Sequence, residues 1–308
     1  MNRPPMIGDY DTFIFDLDGV VYRGEHAVPG AIETIQALTA TGAQCVYVTN
    51  NAGRPGEVVA EHLRSLGLSC SIDQVITSPQ AVAAALPRFV EPGALIYVVG
   101  GPGIDAALIP AGYRVTREPS AECAAVVQGF GPDVAWRDLA EAAYLVESGV
   151  PWLVTNPDLT FPTARGIAPG NGALAAAVGH AVGRNPDLIA GKPEPPLLQT
   201  ALQRTGARRA LMVGDRLDTD IEAGHRVGID TAFVATGAHR IGNILHASPD
   251  QRPTYLGADL RYLLLSYPED QGSAGFWGVA QRLVPEAWAA RDQGDTAEFE
   301  RIAAELTH

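Results

Sequence analysis

Two carboxylates one residue apart are the first side chains in the sequence whose type and spacing could do chemistry. Asp16 and Asp18 belong to the segment DLDGV, which directly follows an apolar run. One carboxylate of such a pair can attack an electrophile while the other protonates the leaving group, and both can bind a divalent cation. A D-x-D pair alone is also common in ordinary acidic turns after strands.

Two further segments carry groups that suit a phosphate. Thr49, Asn50 and Asn51 follow an apolar run, and their hydroxyl, amide and backbone N–H groups can hold phosphate oxygens. The same three residues could instead form a turn or a helix cap. Lys192 lies between a glycine and a proline on a constrained loop. Taken alone, this lysine would be read as a surface residue.

The fourth segment is GDRLDTD, residues 214–220, after another apolar run. Its glycine permits a tight turn, and its acids, Asp215, Asp218 and Asp220, can complete an oxygen-rich Mg²⁺ site. A solvated acidic loop is the alternative interpretation. Each segment is ambiguous alone, but their order along one chain is specific.

Short apolar runs alternate with helical patterns, which predicts βαβ units and a parallel sheet. The predicted strands are Thr12–Leu17, Cys45–Val48, Val75–Thr77, Leu95–Val99, Ala124–Gln128, Trp152–Thr155, Ala210–Val213 and, as the last strand, Thr231–Val234. The predicted helices are Pro29–Thr39, Glu57–Leu66, Leu139–Glu147 and Ala173–Val182. Because ligands of open parallel sheets bind beyond the carboxyl ends of the strands, we expect the four segments to meet there.

The alternation restarts within the chain, which predicts a second α/β unit inserted into the first. We expect an α/β fold with a Rossmann-like parallel-sheet core (1–80 and 186–268), an inserted α/β cap (81–185) and a helical tail (269–308). In the tail, Phe276, Val279, Leu283 and Ala287 recur at helical spacing, and Asp295 with Glu298 resembles a capping pair. These helices would pack on the body or on a partner subunit.

Composition excludes several classes of protein. The chain has 308 residues, of which 46 % are hydrophobic and 19 % charged, as expected for a globular protein. A net charge of −13 argues against nucleic-acid binding, which needs a basic surface. There is no apolar run of about 18 residues and no signal-peptide pattern, so we expect no membrane association. Three widely spaced cysteines fit a reducing, cytoplasmic location, with Cys45 in the core.

The ordered segments resemble the haloacid dehalogenase (HAD) superfamily of phosphohydrolases. More narrowly, they resemble its NagD-like subgroup, which carries a large α/β (C2-type) cap between the second and third motifs. The resemblance rests on FDLDGVVYRGEHAVPGA, VTNNAGR, TNPDLTFPTARGIAPGNGAL, GKP and GDRLDTDI. It covers residues 12–265 and leaves the tail beyond Tyr267 outside.

This resemblance implies a Mg²⁺-dependent phosphatase with an aspartyl-phosphate intermediate. Asp16 would attack phosphorus, while Asp18 would protonate the departing alkoxide and later accept a proton from water. The carboxylates of Asp16 and Asp215 and the backbone carbonyl of Asp18 would hold Mg²⁺. Asp220 would order the metal's surroundings without binding it directly.

The other two motifs would bind the phosphoryl group. Lys192 would offset the repulsion between the attacking carboxylate and the dianionic substrate. Thr49, Asn50 and Asn51 would contact the phosphoryl oxygens.

The inserted cap would act as a lid over the substrate. Asn156, Asp158 and the turn 169–172 match the cap pattern and are expected to face the substrate, although Asn156-Pro157-Asp158 could be an ordinary turn. Phe161 stands where some relatives place a histidine that contacts pyridoxal phosphate, which argues against that substrate. Arg165 could contact a polar substrate or be exposed.

The run 162–172 resembles most the bacterial glycerol 3-phosphate phosphatases. A small phosphorylated metabolite, with glycerol 3-phosphate preferred, is therefore the expected substrate. Nitrophenyl phosphate, nucleoside monophosphates and phosphoglycolate are the alternatives. Relatives often dimerise through the cap, so a homodimer is one expected assembly.

Three other classes compete with this interpretation. A phosphotransferase of the same superfamily would usually carry a small cap between the first two motifs, where little room exists. A dinucleotide-binding oxidoreductase would need G-x-G-x-x-G, and residues 100–103 read GGPG instead. A noncatalytic binding protein would be favoured if an acid or Lys192 were missing, and none is.

Overall fold

Strands and helices alternate along the computed structural model, which describes residues 6–163, 165–267 and 275–307. The strands are β1 (Thr12–Asp16), β2 (Tyr22–Arg23), β3 (His26–Ala27), β4 (Gln44–Thr49), β5 (Val75–Thr77), β6 (Leu95–Val99), β7 (Arg114–Thr116), β8 (Cys123–Gln128), β9 (Trp152–Val154), β10 (Thr160–Thr163), β11 (Gly166–Pro169), β12 (Leu188–Ile189), β13 (Ala210–Gly214), β14 (Asp230–Val234) and β15 (Tyr255–Gly257). The helices are α1 (Ala31–Ala40), α2 (Gly56–Ser65), α3 (Ser78–Ala85), α4 (Pro102–Leu108), α5 (Trp136–Glu147), α6 (Asn171–Val182), α7 (Pro196–Thr205), α8 (Glu222–Val227), α9 (Ile241–Leu245), α10 (Phe276–Asp292) and α11 (Thr296–Thr307). This pattern confirms the predicted α/β class.

Two larger sheets organise these elements. One has the order β15-β14-β13-β1-β4-β5, and the other has the order β12-β9-β8-β6-β7. Strand β1 pairs in parallel with β13, with Phe15 opposite Val213. Because parallel neighbours end at the same edge of a sheet, the residues that follow β1 and β13 emerge side by side.

The chain divides into two compact units. Unit 1 comprises Met1–Tyr47, Arg64–Ser69 and Leu202–His308, and unit 2 comprises Val48–Leu63 and Cys70–Ala201. These compact units have different boundaries from the core, cap and tail expected from sequence, and that division stays a prediction. Unit 2 contains the five-stranded sheet, whose buried Val126 and Trp152 pack with Ala142 and Val178 of the flanking helices.

One prediction about strands was wrong, and one hairpin was not predicted. The sheet does not end at β14, because β15 pairs in parallel with it, with Phe233 opposite Leu256. The hairpin that was not predicted consists of β10 and β11, which pair antiparallel with Phe161 opposite Ala168. All three strands are short, and the hairpin contains prolines, which weaken the strand signal in a sequence.

The predicted tail helices are present as α10 and α11, and residues 269–274 and 308 of the predicted tail lie outside the described residues. Asp295 caps α11 by accepting a hydrogen bond from the Glu298 N–H at 3.1 Å. Buried Val284, Trp288 and Ile302 pack with residues of α9 and β15. Of the two expected packing arrangements, the tail therefore adopts packing on the body of its own unit.

The remaining general predictions concern cysteines and membranes. Cys45, Cys70 and Cys123 are buried thiols. Cys45 is 2 % exposed, which confirms its place in the core. In the described part of the chain, none of the helices combines the length and apolar composition needed to cross a bilayer.

Candidate functional site

Three carboxylates meet where β1 and β13 end. Asp16 is the last residue of β1, Asp215 directly follows β13, and Asp220 lies in the π-helical turn Leu217–Ile221. Each offers an oxygen, and these oxygens lie within 4.8 Å of one another. Asp215 and Asp220 are buried and Asp16 is half-buried. We refer to Asp16, Asp215 and Asp220 as the acidic cluster.

The backbone around Asp215 is packed so closely that only glycine fits at two positions. A Cβ built on Gly237 would lie 1.7 Å from Asp215 Oδ2, and one on Gly19 would lie 2.9 Å from the same oxygen. Gly19 also has a φ of 88°, in the left-handed region that favours glycine. The Ala238 N–H donates a hydrogen bond to Asp215 Oδ2, and the Thr236 hydroxyl donates one to the Gly19 carbonyl at 2.6 Å. Residues 236–238, part of what we call the 236–239 loop, therefore fix the Asp215 carboxylate.

Asp220 shapes the loop that carries Asp215. Its Oδ2 accepts hydrogen bonds from the N–H groups of Asp215 and Arg216, both at 3.1 Å. A Cβ on Gly214 would lie 2.1 Å from the Asp220 Cβ, so this approach requires glycine. These bonds fit the supporting role expected for Asp220, while its position in the acidic cluster also lets it contribute charge.

His239 is a further polar residue beside this loop. Its Nδ1 accepts a hydrogen bond from the Leu217 N–H at 3.0 Å, and its Nε2 lies 3.9 Å from Asp218 Oδ1. Burial lowers the pKa of the His239 imidazole, and the Arg216 guanidinium acts in the same direction. Because an accepting Nδ1 is unprotonated, the neutral imidazole carries its proton on Nε2. His239 therefore supports the first residue of the π-helical turn.

The acidic cluster suits a hard divalent cation. Carboxylate oxygens are the ligands that Mg²⁺ and Ca²⁺ prefer. Three carboxylates this close repel one another, and a divalent cation between them would offset that repulsion. Asp16 and Asp215 would supply direct ligands, and Asp220 would hold the loop in place.

Asp18 differs from the cluster in its exposure. Its side chain is exposed, and its backbone forms a bridge with Tyr22. The Gly19 N–H donates a hydrogen bond to the Tyr22 carbonyl at 2.8 Å, which closes this turn after β1. An exposed carboxyl can exchange protons with solvent, as a general acid and base must.

In unit 2, Asn50 fixes the backbone of Lys192. Its Oδ1 accepts a hydrogen bond from the Lys192 N–H at 2.8 Å, and its Nδ2 donates one to the Lys192 carbonyl at 2.9 Å. Nδ2 also lies 3.2 Å from Asp158 Oδ1. A Cβ on Gly191 would lie 2.7 Å from Asn50 Oδ1, which explains the glycine before the lysine. The Asn50 side chain therefore positions Lys192, which is 2 % exposed.

Hydrogen bonds among polar side chains extend this arrangement. We call Asn50, Ser78, Asn156, Asp158, Asn171 and Lys192 the amide network, after its three asparagines. The Asn50 carbonyl accepts hydrogen bonds from Asn156 Nδ2 and Ser78 Oγ, both at 2.8 Å. Asn171 Nδ2 donates to the Asn156 carbonyl at 2.9 Å. The expected cap residues Asn156 and Asp158 are thus tied within unit 2 to Asn50.

The turn 169–172 packs against the backbone beside Asp158. A Cβ on Gly170 would lie 2.2 Å from the Asp158 carbonyl oxygen, and one on Gly172 would lie 2.1 Å from the Pro157 carbonyl oxygen. These glycines permit a close backbone approach.

The remaining predicted residues of unit 2 lie on short loops or on the hairpin. Thr49 Oγ1 accepts a hydrogen bond from the Asn51 N–H at 3.1 Å, and Asn51 Oδ1 accepts one from the Gly53 N–H at 2.8 Å. Phe161 stacks on Phe130 with ring centroids 4.5 Å apart. This stack gives the hairpin an apolar anchor.

Arg165 lies in the turn of the hairpin and is exposed. Its N–H donates a hydrogen bond to Thr163 Oγ1 at 3.2 Å. An exposed side chain is compatible with both interpretations of Arg165 made from the sequence.

We predict that Asn50→Ala destabilises the protein more than Ser78→Ala. The first change leaves the N–H and carbonyl of Lys192 without their amide partner, at about 1–3 kcal/mol for each buried group. The second removes one of two donors to the Asn50 carbonyl and should cost about 1 kcal/mol. Urea unfolding followed by circular dichroism measures both. Equal losses would contradict the positioning role of Asn50.

Several residues of these sites were not singled out in the sequence. Thr236, Gly237 and His239 follow β14, and Ser78 follows β5, so the strand-end rule that found the other motifs could have found them. Phe130 follows β8 in the same way. Their residue types carry weaker chemical signals than paired aspartates do.

Comparison with known proteins supports the interpretation of these motifs. Residues 13–114 match a family model described as haloacid dehalogenase-like hydrolase, and residues 189–263 match one described as HAD-hydrolase-like. The D-glycerol 3-phosphate phosphatase of Mycobacterium tuberculosis is 40 % identical over 255 residues, which are 83 % of this chain and 71 % of that protein. The acid sugar phosphatase of Staphylococcus aureus is 36 % identical over 253 residues, which are 82 % of this chain and 95 % of that protein.

Solved structures give the same result. The glycerol phosphate phosphatase of M. tuberculosis in complex with magnesium has a TM-score of 0.80 at 39 % identity, over 84 % of this chain and 78 % of that one. The p-nitrophenyl phosphatase of Archaeoglobus fulgidus has a TM-score of 0.77 at 28 % identity, over 83 % of this chain and 98 % of that one. The chain therefore belongs to the haloacid dehalogenase-like hydrolase family, as one of its phosphatases.

Proposed function

We propose that the protein is a Mg²⁺-dependent phosphatase that hydrolyses small phosphoric monoesters through an aspartyl-phosphate on Asp16, with glycerol 3-phosphate as its preferred substrate. The acidic cluster carries this proposal, because it sets the half-buried Asp16 carboxylate beside two buried carboxylates suited to a divalent cation. Asp16 is assigned as the nucleophile because it is the first aspartate of the DLDGV segment, which resembles the first motif of the family.

The reaction has two steps on this chain. An Asp16 carboxylate oxygen forms a bond to phosphorus while the ester P–O bond breaks, and the departing alkoxide takes a proton from Asp18. A water molecule then attacks phosphorus, Asp18 takes its proton, and inorganic phosphate leaves as the bond to Asp16 breaks. The exposed position of Asp18 supports this exchange of protons, because its carboxyl can meet both an alcohol and water.

Asp16, Asp215 and the Asp18 carbonyl would hold Mg²⁺, which supplies positive charge against the developing charge of the phosphoryl oxygens. Magnesium is present in the solved structure of the M. tuberculosis relative. Asp220 keeps Asp215 in place through its two backbone hydrogen bonds.

The second and third motifs are assigned to the phosphoryl group. Lys192 would supply a cation with little freedom, because Asn50 holds its backbone on both sides. The Thr49 hydroxyl, the Asn50 backbone N–H and the Asn51 side-chain amide would donate hydrogen bonds to phosphoryl oxygens, since the Asn51 backbone N–H is engaged with Thr49 Oγ1. Since the Asn50 side chain is engaged with Lys192 and Asp158, its contribution to phosphate binding comes from its backbone.

Asn156, Asp158 and Phe161 are assigned to the substrate side of the cap. Asn156 and Asp158 belong to the amide network, so their main effect is to hold the polar groups that meet the phosphate. Phe161, stacked on Phe130, offers an apolar wall to the rest of the substrate.

Two proposals about location and assembly come from the sequence. We propose a cytoplasmic location, because the buried free thiols suit a reducing compartment. We propose a homodimer, because proteins that the chain resembles often dimerise through the cap.

The preference for glycerol 3-phosphate rests on the M. tuberculosis relative at 40 % identity. We expect kcat/KM for this substrate to exceed that for phosphoglycolate, nucleoside monophosphates and sugar phosphates by about tenfold, as one well-placed hydrogen bond can provide. Phosphate release from each compound with Mg²⁺ present measures this order. A higher value for sugar phosphates would favour the activity named for the S. aureus relative. Equal values for all would contradict the substrate assignment and leave the phosphatase assignment intact.

A further inference from the structure

The C-terminal helices lie beyond the region that the family models match. The second model ends at residue 263, whereas α10 and α11 span Phe276–Asp292 and Thr296–Thr307. Their apolar residues share one buried cluster with the π-helical turn that follows Asp215. Its buried members are Leu217, Ile221, Phe233, Ile244, Leu245, Ala247, Leu256, Ala280, Val284, Ala287, Trp288, Ile302 and Leu306. The tail is therefore part of the core that supports the acidic cluster.

Directional bonds connect α10 to α9. The buried indole N–H of Trp288 donates a hydrogen bond to the Ile244 carbonyl at 2.8 Å. Arg291 Nη1 donates one to the Ala247 carbonyl at 3.1 Å. These carbonyls belong to the last turn of α9 and the residues just after it, where few backbone N–H groups are left to pair with carbonyls. The Ile244 carbonyl also accepts a hydrogen bond from the Ala247 N–H at 3.1 Å. Helix α10 thus caps the end of α9.

Helix α9 begins directly after the loop that holds the Asp215 carboxylate. In that loop, Ala238 donates its N–H to Asp215 Oδ2, Gly237 lies against the same oxygen, and His239 bonds the Leu217 N–H. A displacement of α9 would move all three groups relative to Asp215. The position of the carboxylate consequently depends on the position of α9.

A second set of contacts joins α10 to β15 and to the residues that precede it. Arg252, which precedes β15, forms a two-pronged ion pair with Asp292 at 2.5 and 2.6 Å. The Arg252 guanidinium also lies over the Trp288 ring, 5.4 Å from its centroid. Gln281 Nε2 donates a hydrogen bond to the Leu256 carbonyl at 3.1 Å. These contacts join α10 to β15 and to the segment before it.

We propose that α10 is a brace for the metal site, with Trp288 and Arg291 acting as positioning residues that hold the Asp215 carboxylate through α9 and the 236–239 loop. This inference rests on the metal site proposed above. It assigns to the tail a role in metal affinity in addition to a role in stability, because the bonds run in series from α10 to the loop that contacts Asp215.

The test measures Mg²⁺ binding directly, without substrate. Trp288→Phe keeps one aromatic ring and removes the five-membered ring with its N–H, and Arg291→Gln removes the guanidinium. We expect each to weaken Mg²⁺ binding about threefold to tenfold in isothermal titration of the full chain, below the 10–100-fold typical of groups that contact a ligand. Arg301→Gln is the matched control, since Arg301 is exposed and pairs with Glu298 and Glu305 of its own helix α11.

Circular dichroism below the unfolding temperature checks that each variant is folded during the titration. A purely structural tail would lower Tm while leaving the Mg²⁺ affinity of the folded protein unchanged, and that result would overturn the brace. If Trp288→Phe does not fold, Arg291→Gln decides alone. An unmodified protein that binds no Mg²⁺ would overturn the metal site and the brace with it, whereas unchanged affinity in both variants overturns the brace only.

Discussion

Asp16→Asn should lower kcat for phosphate release by about 10⁴-fold or more, because a neutral amide cannot form the bond to phosphorus. The side chains are nearly equal in size, so the half-buried position at the end of β1 should accept the change. The three-carboxylate cluster loses one negative charge, which relieves repulsion and should leave stability equal or higher. Stopped assays of phosphate release, together with Tm, measure both effects.

Asp250→Asn provides the control, since Asp250 is an exposed aspartate of the same unit and lies outside the acidic cluster. Acid-quenched unmodified enzyme should also carry one phosphoryl group on the peptide that contains Asp16, and the Asp16→Asn protein should carry none. Retention of more than a tenth of the activity by Asp16→Asn would remove Asp16 from the nucleophile's role.

The core strands could be predicted from sequence because they are buried on both faces. Strands β1, β4 and β13 read as continuous apolar runs, as strands covered on both sides do. Their last residues are followed by polar groups, which marks the functional edge of a parallel sheet. The motif positions therefore followed from local patterns alone.

The short peripheral strands could not be predicted in the same way. Strand β15 has three residues, and its place comes from pairing with β14. Strands β10 and β11 contain prolines, and their pairing depends on the turn at Gly166, whose φ is 127°. These elements are specified by neighbours distant in sequence or by turn geometry, and neither produces a periodic pattern.

The sequence also could not show which polar residues position other groups and which are available to a ligand. Asn50 looks like a phosphate ligand in sequence, yet its side chain brackets the Lys192 backbone. His239 and Gly237 carry no recognisable motif, yet both support the Asp215 loop. Sequence patterns identify groups that can do chemistry, whereas the contacts show which groups hold others in place.

Gly237→Ala tests that support without changing any functional group. The added Cβ would lie 1.7 Å from Asp215 Oδ2 and 2.2 Å from its Cγ, so the carboxylate or the loop must move. We expect Mg²⁺ affinity to fall by about 10–100-fold, as for other changes to groups that orient metal ligands, and activity at limiting Mg²⁺ to fall with it. Isothermal titration with Mg²⁺ measures the first effect, and activity over a Mg²⁺ series measures the second.

Gly242→Ala is the matched control for this prediction. Gly242 lies five residues later in α9, and a Cβ there meets nothing within 4 Å. Because the added Cβ meets no neighbour, Gly242→Ala should bind Mg²⁺ normally. Because alanine has a higher helix propensity than glycine, the variant should gain up to about 1 kcal/mol of stability. If Gly237→Ala bound Mg²⁺ as tightly as Gly242→Ala, the Asp215 carboxylate would not be a metal ligand held by this loop.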